Sequence, residues 1–238
     1  MPEPPADPTG PVRKPDQPLA RPKDAATLVL YRRRNGTVEV LMGERHAKHR
    51  FMPNRYVFPG GRVDRADWHV RAGAELHPAV SDRLAQSCPP KRARALALAA
   101  IRETFEETGL MLGTKDPNPG QRTPPSWQPF FAAGLAPALD CLDYVARAVT
   151  PPYRPMRFNA RFFMADAEAA LGDIRGSGEL LDLRWVPIAE ARELPIPRIT
   201  GLVLGHVEEV VGGTRAVDRG RPIPLYDYLH GRHRQVHE

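Results

Sequence analysis

The stretch RETFEETG, residues 102–109, closes a segment of high helix propensity that begins at Lys91, and it constrains the fold more than any other part of the chain. In a helix, Leu98, Ile101 and Phe105 recur three and four residues apart and form an apolar stripe that has to be buried. Glu103, Glu106 and Glu107 lie on another face, within an arc of about 100°. Like charges so placed repel, and the negative end of the helix dipole costs each exposed carboxylate a further ~0.3–1 kcal/mol. The arrangement asks for a compensating cation. Gly109 suits the left-handed conformation that ends such a helix.

Upstream, AATLVLYRRRNGTVEVLMGER reads as two strands joined by Asn35-Gly36, a dipeptide that tolerates the positive φ angles of a tight hairpin. A third short run, RYVFPGG, ends in Pro59-Gly60-Gly61, where the chain must turn sharply or let its backbone approach something closely. Residues 65–90 carry a weak pattern with one short amphipathic helix around 79–87, and read as an insertion. Beyond the glutamates lies a loop dense in Pro and Gly, GTKDPNPGQRTPPSW. Strands are predicted near 143–150, 158–165 and 180–186, and helices near 188–194 and 199–211. Residues 1–24, rich in proline and charge, read as a flexible arm. Residues 213–238, without a clear period, read as a C-terminal tail. Between them, residues 25–212 form one domain with an insertion at about 68–92. Because the first hairpin is antiparallel while strands and helices alternate later, the expected fold is an α/β sandwich with a mixed sheet.

Composition narrows the context. With 238 residues and 42% hydrophobic content, the chain can bury a real core. No run approaches the length needed to span a bilayer and the N-terminus lacks an apolar signal region, so a soluble, cytoplasmic protein without membrane partners is expected. The 2 cysteines, Cys88 and Cys141, form neither a disulfide framework nor a metal-binding pair, which favours a reducing compartment. A formal charge of +6 steers anionic ligands without choosing among them. No aromatic-interleaved basic stripe points to nucleic acid. A small-molecule partner is therefore expected, and a homodimer stays open.

Three carboxylates on one helical face, opposite a Gly-Gly turn, supply hard oxygen ligands for Mg²⁺ or Mn²⁺. Divalent ions that bridge phosphoryl oxygens neutralise charge and lower the pKa of an attacking water. The competing reading is a solvated acidic face with Arg102 and Glu106 as an i,i+4 ion pair.

PGG followed by RETFEETGL resembles the Nudix hydrolase signature Gx5Ex7REUxEExGU, where U is a bulky apolar residue. Gly61 takes the first glycine, Arg102 and Glu103 the RE pair, Glu106 and Glu107 the EE pair, and Gly109-Leu110 the close. Thr104 departs from a bulky apolar position. Asp67 stands at the isolated glutamate, and 34 residues, 68–101, separate it from Arg102 where the pattern has seven. Loop lengthening costs only logarithmically in closure entropy, so the two halves can still meet. RYVFPGGRVDRADW, the inserted segment and AAIRETFEETGLML, with RFNARFFMA and LRWVPIAEA downstream, further resemble an interrupted-box branch of coenzyme A diphosphatases.

The resemblance implies a Nudix α/β/α sandwich that hydrolyses the pyrophosphate of a nucleoside diphosphate linked to another moiety, with CoA or acyl-CoA preferred. ADP-ribose, NADH or another dinucleotide is the same-class alternative, and a non-catalytic nucleotide-binding or regulatory module is the other. It further implies that Glu103, Glu106 and Glu107 bind Mg²⁺ or Mn²⁺, with the Gly60 carbonyl as a further ligand, and that Arg102 orients the glutamates. Asp67, with its shorter side chain beside the insertion, is set apart from the metal ligands. Glu179 reads as a loop acid rather than a second catalytic acid. Arg45, His46, Lys48, His49, Arg50 and Arg55 crowd the approach to VFPGG and are candidate phosphate contacts, with Arg45, Arg55 and Gly61 foremost at the substrate. His230, His233 and His237 read as a solvated terminus, and both cysteines as structural thiols.

Overall fold

The computed structural model describes residues 12–14, 16–49, 51–212 and 217–238. Residues 1–11 and Pro15 of the N-terminal arm, Arg50 and residues 213–216 lie outside the described residues.

The first hairpin forms as its turn chemistry dictates. Strand β1 (Lys23–Arg34) turns through Asn35 (φ 50°) and Gly36 (φ 75°) into β2 (Thr37–Arg45). Short strands β3 (Tyr56–Val57) and β4 (Gly60–Arg62) then fold back onto β2 and β1. The inserted segment carries helix α1 (Pro78–Ala85) and leads into the long helix α2 (Pro90–Thr108). Next come β5 (Met111–Lys115), α3 (Gln128–Ala132) and β6 (Leu135–Pro137). Strands β7 (Asp143–Val149), β8 (Phe158–Asp166), β9 (Ala170–Leu171) and β10 (Leu180–Pro187) lead to helices α4 (Ile188–Ala191) and α5 (Arg198–Val211). The last elements are β11 (Pro224–Leu229) and β12 (Arg232–His237).

The main sheet runs β10-β2-β1-β8-β7-β11-β12, with β3 and β4 paired at β2 and β1. It is mixed: β1 is parallel to β8 and β7 to β11, while the remaining pairs are antiparallel. Both faces are covered. Along β1, Ala26, Leu28 and Leu30 join one core with α1, α2, Trp127 and Phe130. The alternate residues Val29 and Tyr31 join a second core with Val203, Leu204, Val207 and Val211 of α5. Two buried faces explain why β1 reads as an uninterrupted apolar run. The expected α/β/α sandwich with a mixed sheet is present.

Three features differ from the sequence reading. Residues 224–238 are no loose tail: β11 pairs with β7 and extends the sheet, and Ile223 is 2% exposed. Their hairpin turns through His230 (φ 49°) and Gly231 (φ 83°), so His230, His233 and His237 belong to a paired hairpin rather than to a loose terminus. The second half of the arm is docked, since the Arg13 amide donates to the Tyr153 carbonyl and Arg157 donates to the Ala20 carbonyl. Finally, β6-β5-β9 form a small second sheet that the Pro/Gly-rich loop concealed. No helix among the described residues is long and apolar enough to cross a membrane.

Candidate active site

Helix α2 carries the site because its two ends have different tasks. Its alanine-rich first half is buried against β1 and α1, whereas its last turns bring the glutamates under the β4 turn. Gly109 (φ 78°) caps it in the left-handed conformation and its amide closes on the Phe105 carbonyl at 2.8 Å. Thr104 is fully buried and donates to the Ala100 carbonyl at 2.8 Å, which satisfies a hydroxyl at a position expected to be apolar.

The Gly60-Gly61 turn meets the glutamates at contact distance. The Gly60 amide donates to Glu107 Oε2 at 2.9 Å. A Cβ at Gly60 would stand 2.6 Å from the Ala26 carbonyl oxygen and 2.7 Å from Thr27 Cα, and one at Gly61 would stand 2.5 Å from both carboxylate oxygens of Glu103. Only glycine lets the strand and the carboxylate pack this closely.

Arg102 organises the face. Its terminal Nη1 donates to Glu103 at 2.8 Å and to the more exposed Glu106 at 3.1 Å. Its other edge is clamped by Asp67, with Nε on Oδ1 at 2.9 Å and Nη2 on Oδ2 at 3.0 Å, and Nη2 also reaches the Arg62 carbonyl. Asp67 is completely buried and accepts two further hydrogen bonds, from the Trp127 indole at 3.1 Å and from the Asp64 amide at 2.8 Å. Asp67 thus lies in the site as the partner of Arg102, and Trp127, which the sequence reading left unremarked in a Pro-rich loop, is the residue that holds Asp67. A tryptophan in an otherwise polar loop was the available signal.

The electrostatics make the carboxylates costly. Burial pushes Glu107 up to about 8, with the Gly60 hydrogen bond opposing the shift and the Glu103 charge adding to it. Burial also raises Glu103 and Glu106, against the pull of Arg102. For Arg102 itself, burial works against the charge, but Asp67, Glu103 and Glu106 outweigh it and hold the guanidinium protonated.

Of the remaining candidates, Arg45 approaches the glutamates: the charges of Glu107, Glu179 and Glu103 favour its ionised form against a larger effect of burial. Its Nη1 donates to the Phe51 carbonyl at 3.3 Å, whereas its buried Nε has no hydrogen-bond partner among the described residues. Glu179 is exposed, yet its charge raises Glu106 and Glu107 further. Arg55 contributes its backbone carbonyl to the Arg45 amide, and among the described residues its side chain forms no hydrogen bond or ion pair with the glutamates. His46 and His49 accept local backbone amides, from Lys48 and Phe51.

The donor set has the chemistry of a hard-cation site, namely carboxylates destabilised as anions beside a cradle that a Cβ would fill. Among the described residues no three His, Cys, Asp or Glu side chains already form a metal cage, because Glu103 and Glu106 turn to Arg102 and Glu107 turns to Gly60. A Mg²⁺ site needs no such cage, since the ion keeps waters and takes one or two carboxylates together with substrate phosphates. Beside Arg102 and Glu103 opens a cleft of about 500 Å³, lined also by Lys23, Arg62, Arg65 and Trp68.

No family model matches the chain. An acyl-coenzyme A diphosphatase of Gallus gallus, NUDT19, is 29% identical over 122 residues, which cover 42% of this chain and 30% of that protein. The chain thus spans under a third of that relative's length. The crystal structure of a Nudix hydrolase from Alicyclobacillus acidocaldarius is similar over 83% of this chain and 98% of its own, at 30% identity and a TM-score of 0.63. With a likeness that spans nearly all of that enzyme, and with the glycine turn and glutamate helix packed together as described, the chain belongs to the Nudix hydrolase family.

Proposed function

We propose that the protein hydrolyses the pyrophosphate bond of a nucleoside diphosphate linked to another moiety, and that CoA or an acyl-CoA is its substrate. The observation that carries the reaction class is the set of three carboxylates on one helical face, each raised by burial, with Glu103 and Glu107 seated against the Gly60-Gly61 turn. The similarity to an acyl-coenzyme A diphosphatase supports the choice of substrate.

Glu103, Glu106, Glu107 and the Gly60 carbonyl would hold Mg²⁺ or Mn²⁺. An ion held there would supply neutralisation of phosphoryl charge and a lowered pKa for the attacking water. The chain's own residues do the positioning. Arg102 keeps Glu103 and Glu106 on the same side of the helix, and Asp67 keeps Arg102 from following either of them. Gly60 fixes Glu107 through its amide. Arg45, with an unpartnered Nε beside these acids, is suited to a phosphate oxygen once substrate arrives. Water adds to one phosphorus, the bridging P–O bond breaks, and CoA yields 3′,5′-ADP and 4′-phosphopantetheine.

The test is hydrolysis of CoA, acetyl-CoA, ADP-ribose, NADH and nucleoside triphosphates with Mg²⁺ or Mn²⁺, with products identified by mass. Preference for the CoA species, lost at least ~100-fold in Glu106→Gln, is the expected result. Preference for ADP-ribose or NADH would overturn the substrate but keep the reaction. Silence across the panel would leave a nucleotide-binding module, and an active parent matched by its Glu106→Gln variant would overturn the carboxylate site.

A further inference from the structure

We infer that the cleft beside Arg102 and Glu103 is a subsite for a phosphate monoester carried by the substrate apart from its pyrophosphate, held by Lys23, Arg62 and Arg65. The inference rests on the proposed pyrophosphate chemistry and names a part of the substrate that the metal-binding face does not read.

The first argument is position. The cleft is bordered by Glu103 but by neither Glu106 nor Glu107, so it flanks the carboxylate face instead of enclosing it. A group bound there sits beside the bond to be cleaved. Lys23 enters from the start of β1, while Arg62 and Arg65 follow the Gly60-Gly61 turn, so the same turn that meets Glu107 also sets the cleft's cations.

The second argument is charge. The acids along the cleft are largely occupied: Asp24 faces Arg92 at 3.4 Å and Arg161 at 3.5 Å, and Glu103 is bound by Arg102 at 2.8 Å. Among the described residues, Asp64 alone of these acids lacks a basic partner, and it accepts the Ala66 amide at 2.8 Å. Lys23, Arg62 and Arg65 are exposed, and among the described residues their side chains enter no hydrogen bond or ion pair, whereas Arg32, Arg71 and Arg94 elsewhere are each paired. Three free cations against one such carboxylate leave a local excess that matches the charge of about −1.5 to −2 on a phosphate monoester. A pyrophosphate diester within the substrate carries about one charge per phosphorus and is the group for the metal. Guanidinium forks add the bidentate geometry that a terminal phosphate offers on three oxygens. Trp68 supplies the aromatic wall against which the attached nucleoside can rest.

Two measurements test this. Calorimetric titration without metal compares adenosine 3′,5′-bisphosphate with AMP, which differ by one phosphate monoester. The parent is expected to bind the bisphosphate about tenfold more tightly or better, and Lys23→Ala/Arg65→Ala to lose most of that preference. Equal affinity in the parent, no binding of either nucleotide, or an undiminished preference in the variant would overturn the subsite. In parallel, kcat/KM is measured for CoA and 3′-dephospho-CoA. A CoA preference that collapses in the variant supports the subsite, whereas equal hydrolysis of both by the parent refutes it and leaves the pyrophosphatase reading intact. Preferential binding of the bisphosphate by a parent that hydrolyses no pyrophosphate would sink the enzymatic reading while the subsite stands.

Discussion

The Asp67 carboxylate grips Arg102 with both oxygens, at 2.9 and 3.0 Å, across 34 intervening residues, and neither side chain is more than 6% exposed. The inserted segment therefore leaves the two halves of the motif joined. Its near end is the anchor of the arginine that in turn holds two candidate metal ligands.

Removing that anchor leaves a buried guanidinium with its acidic partners on one side only. Asp67→Ala is expected to cost about 3–5 kcal/mol, the range for stripping one partner from a buried ion pair. Asp67→Asn, which still accepts from Trp127, is expected to cost less. Chemical denaturation of both variants checks the order, and an Asp67→Ala protein as stable as its parent would contradict it.

Trp127 acts one step further back. Trp127→Phe keeps an aromatic ring against Phe130 and Phe131 but removes the indole N–H from Asp67. A hydrogen bond to a charged group is worth about 1.5–3 kcal/mol, which is the expected destabilisation. If the bond also positions Arg102, kcat falls while KM for substrate stays within about twofold, because no substrate contact is lost. Steady-state kinetics on the folded variant separates positioning from mere support of the fold.

The two glycines of the turn are predicted to fail in different ways. A Cβ at Gly60 meets backbone, the Ala26 carbonyl and Thr27 Cα, so Gly60→Ala is expected to destabilise by roughly 1–3 kcal/mol. The nearest atoms to a Cβ at Gly61 belong to the far end of the Glu103 side chain, which can swing away. Gly61→Ala is therefore expected to change stability by less than about 1 kcal/mol while weakening Mn²⁺ binding and hydrolysis strongly. Melting curves set beside Mn²⁺ titrations would show the contrast.

Residues 222–238 contribute stability that a detachable tail would not. Deleting them uncovers β7 as a sheet edge and removes buried Ile223, its paired hydrogen bonds with Glu238 and the Arg147–Glu238 ion pair. The truncated chain is expected to melt lower and to associate through the open edge. Thermal unfolding and size-exclusion chromatography test this, and an unchanged melting temperature would contradict it.

Local chemistry was legible wherever a few neighbouring residues decide the conformation. Asn35-Gly36 specified its hairpin, Gly109 its cap, and the apolar spacing of residues 98–105 its helix face. His230-Gly231 makes the same kind of turn, but histidine is a weaker signal there, and of the two strands around it β12, RHRQVH, has no apolar alternation to mark it. They are strands because β7 offers a partner, which no local pattern can report. The short strands β5, β6 and β9 likewise exist through pairing with one another.

By itself, the order of residues determined that three glutamates share one helical face and that a Gly-Gly turn precedes them, since helix periodicity and glycine's lack of a Cβ are local properties. Only the tertiary structure decided that Asp67 returns across the insertion to clamp Arg102, that Trp127 secures Asp67, and that Lys23 joins Arg62 and Arg65 around one cleft. Those relations depend on burial and on contacts between residues far apart in the chain. The low dielectric that makes each carboxylate costly exists only once the chain has closed around it.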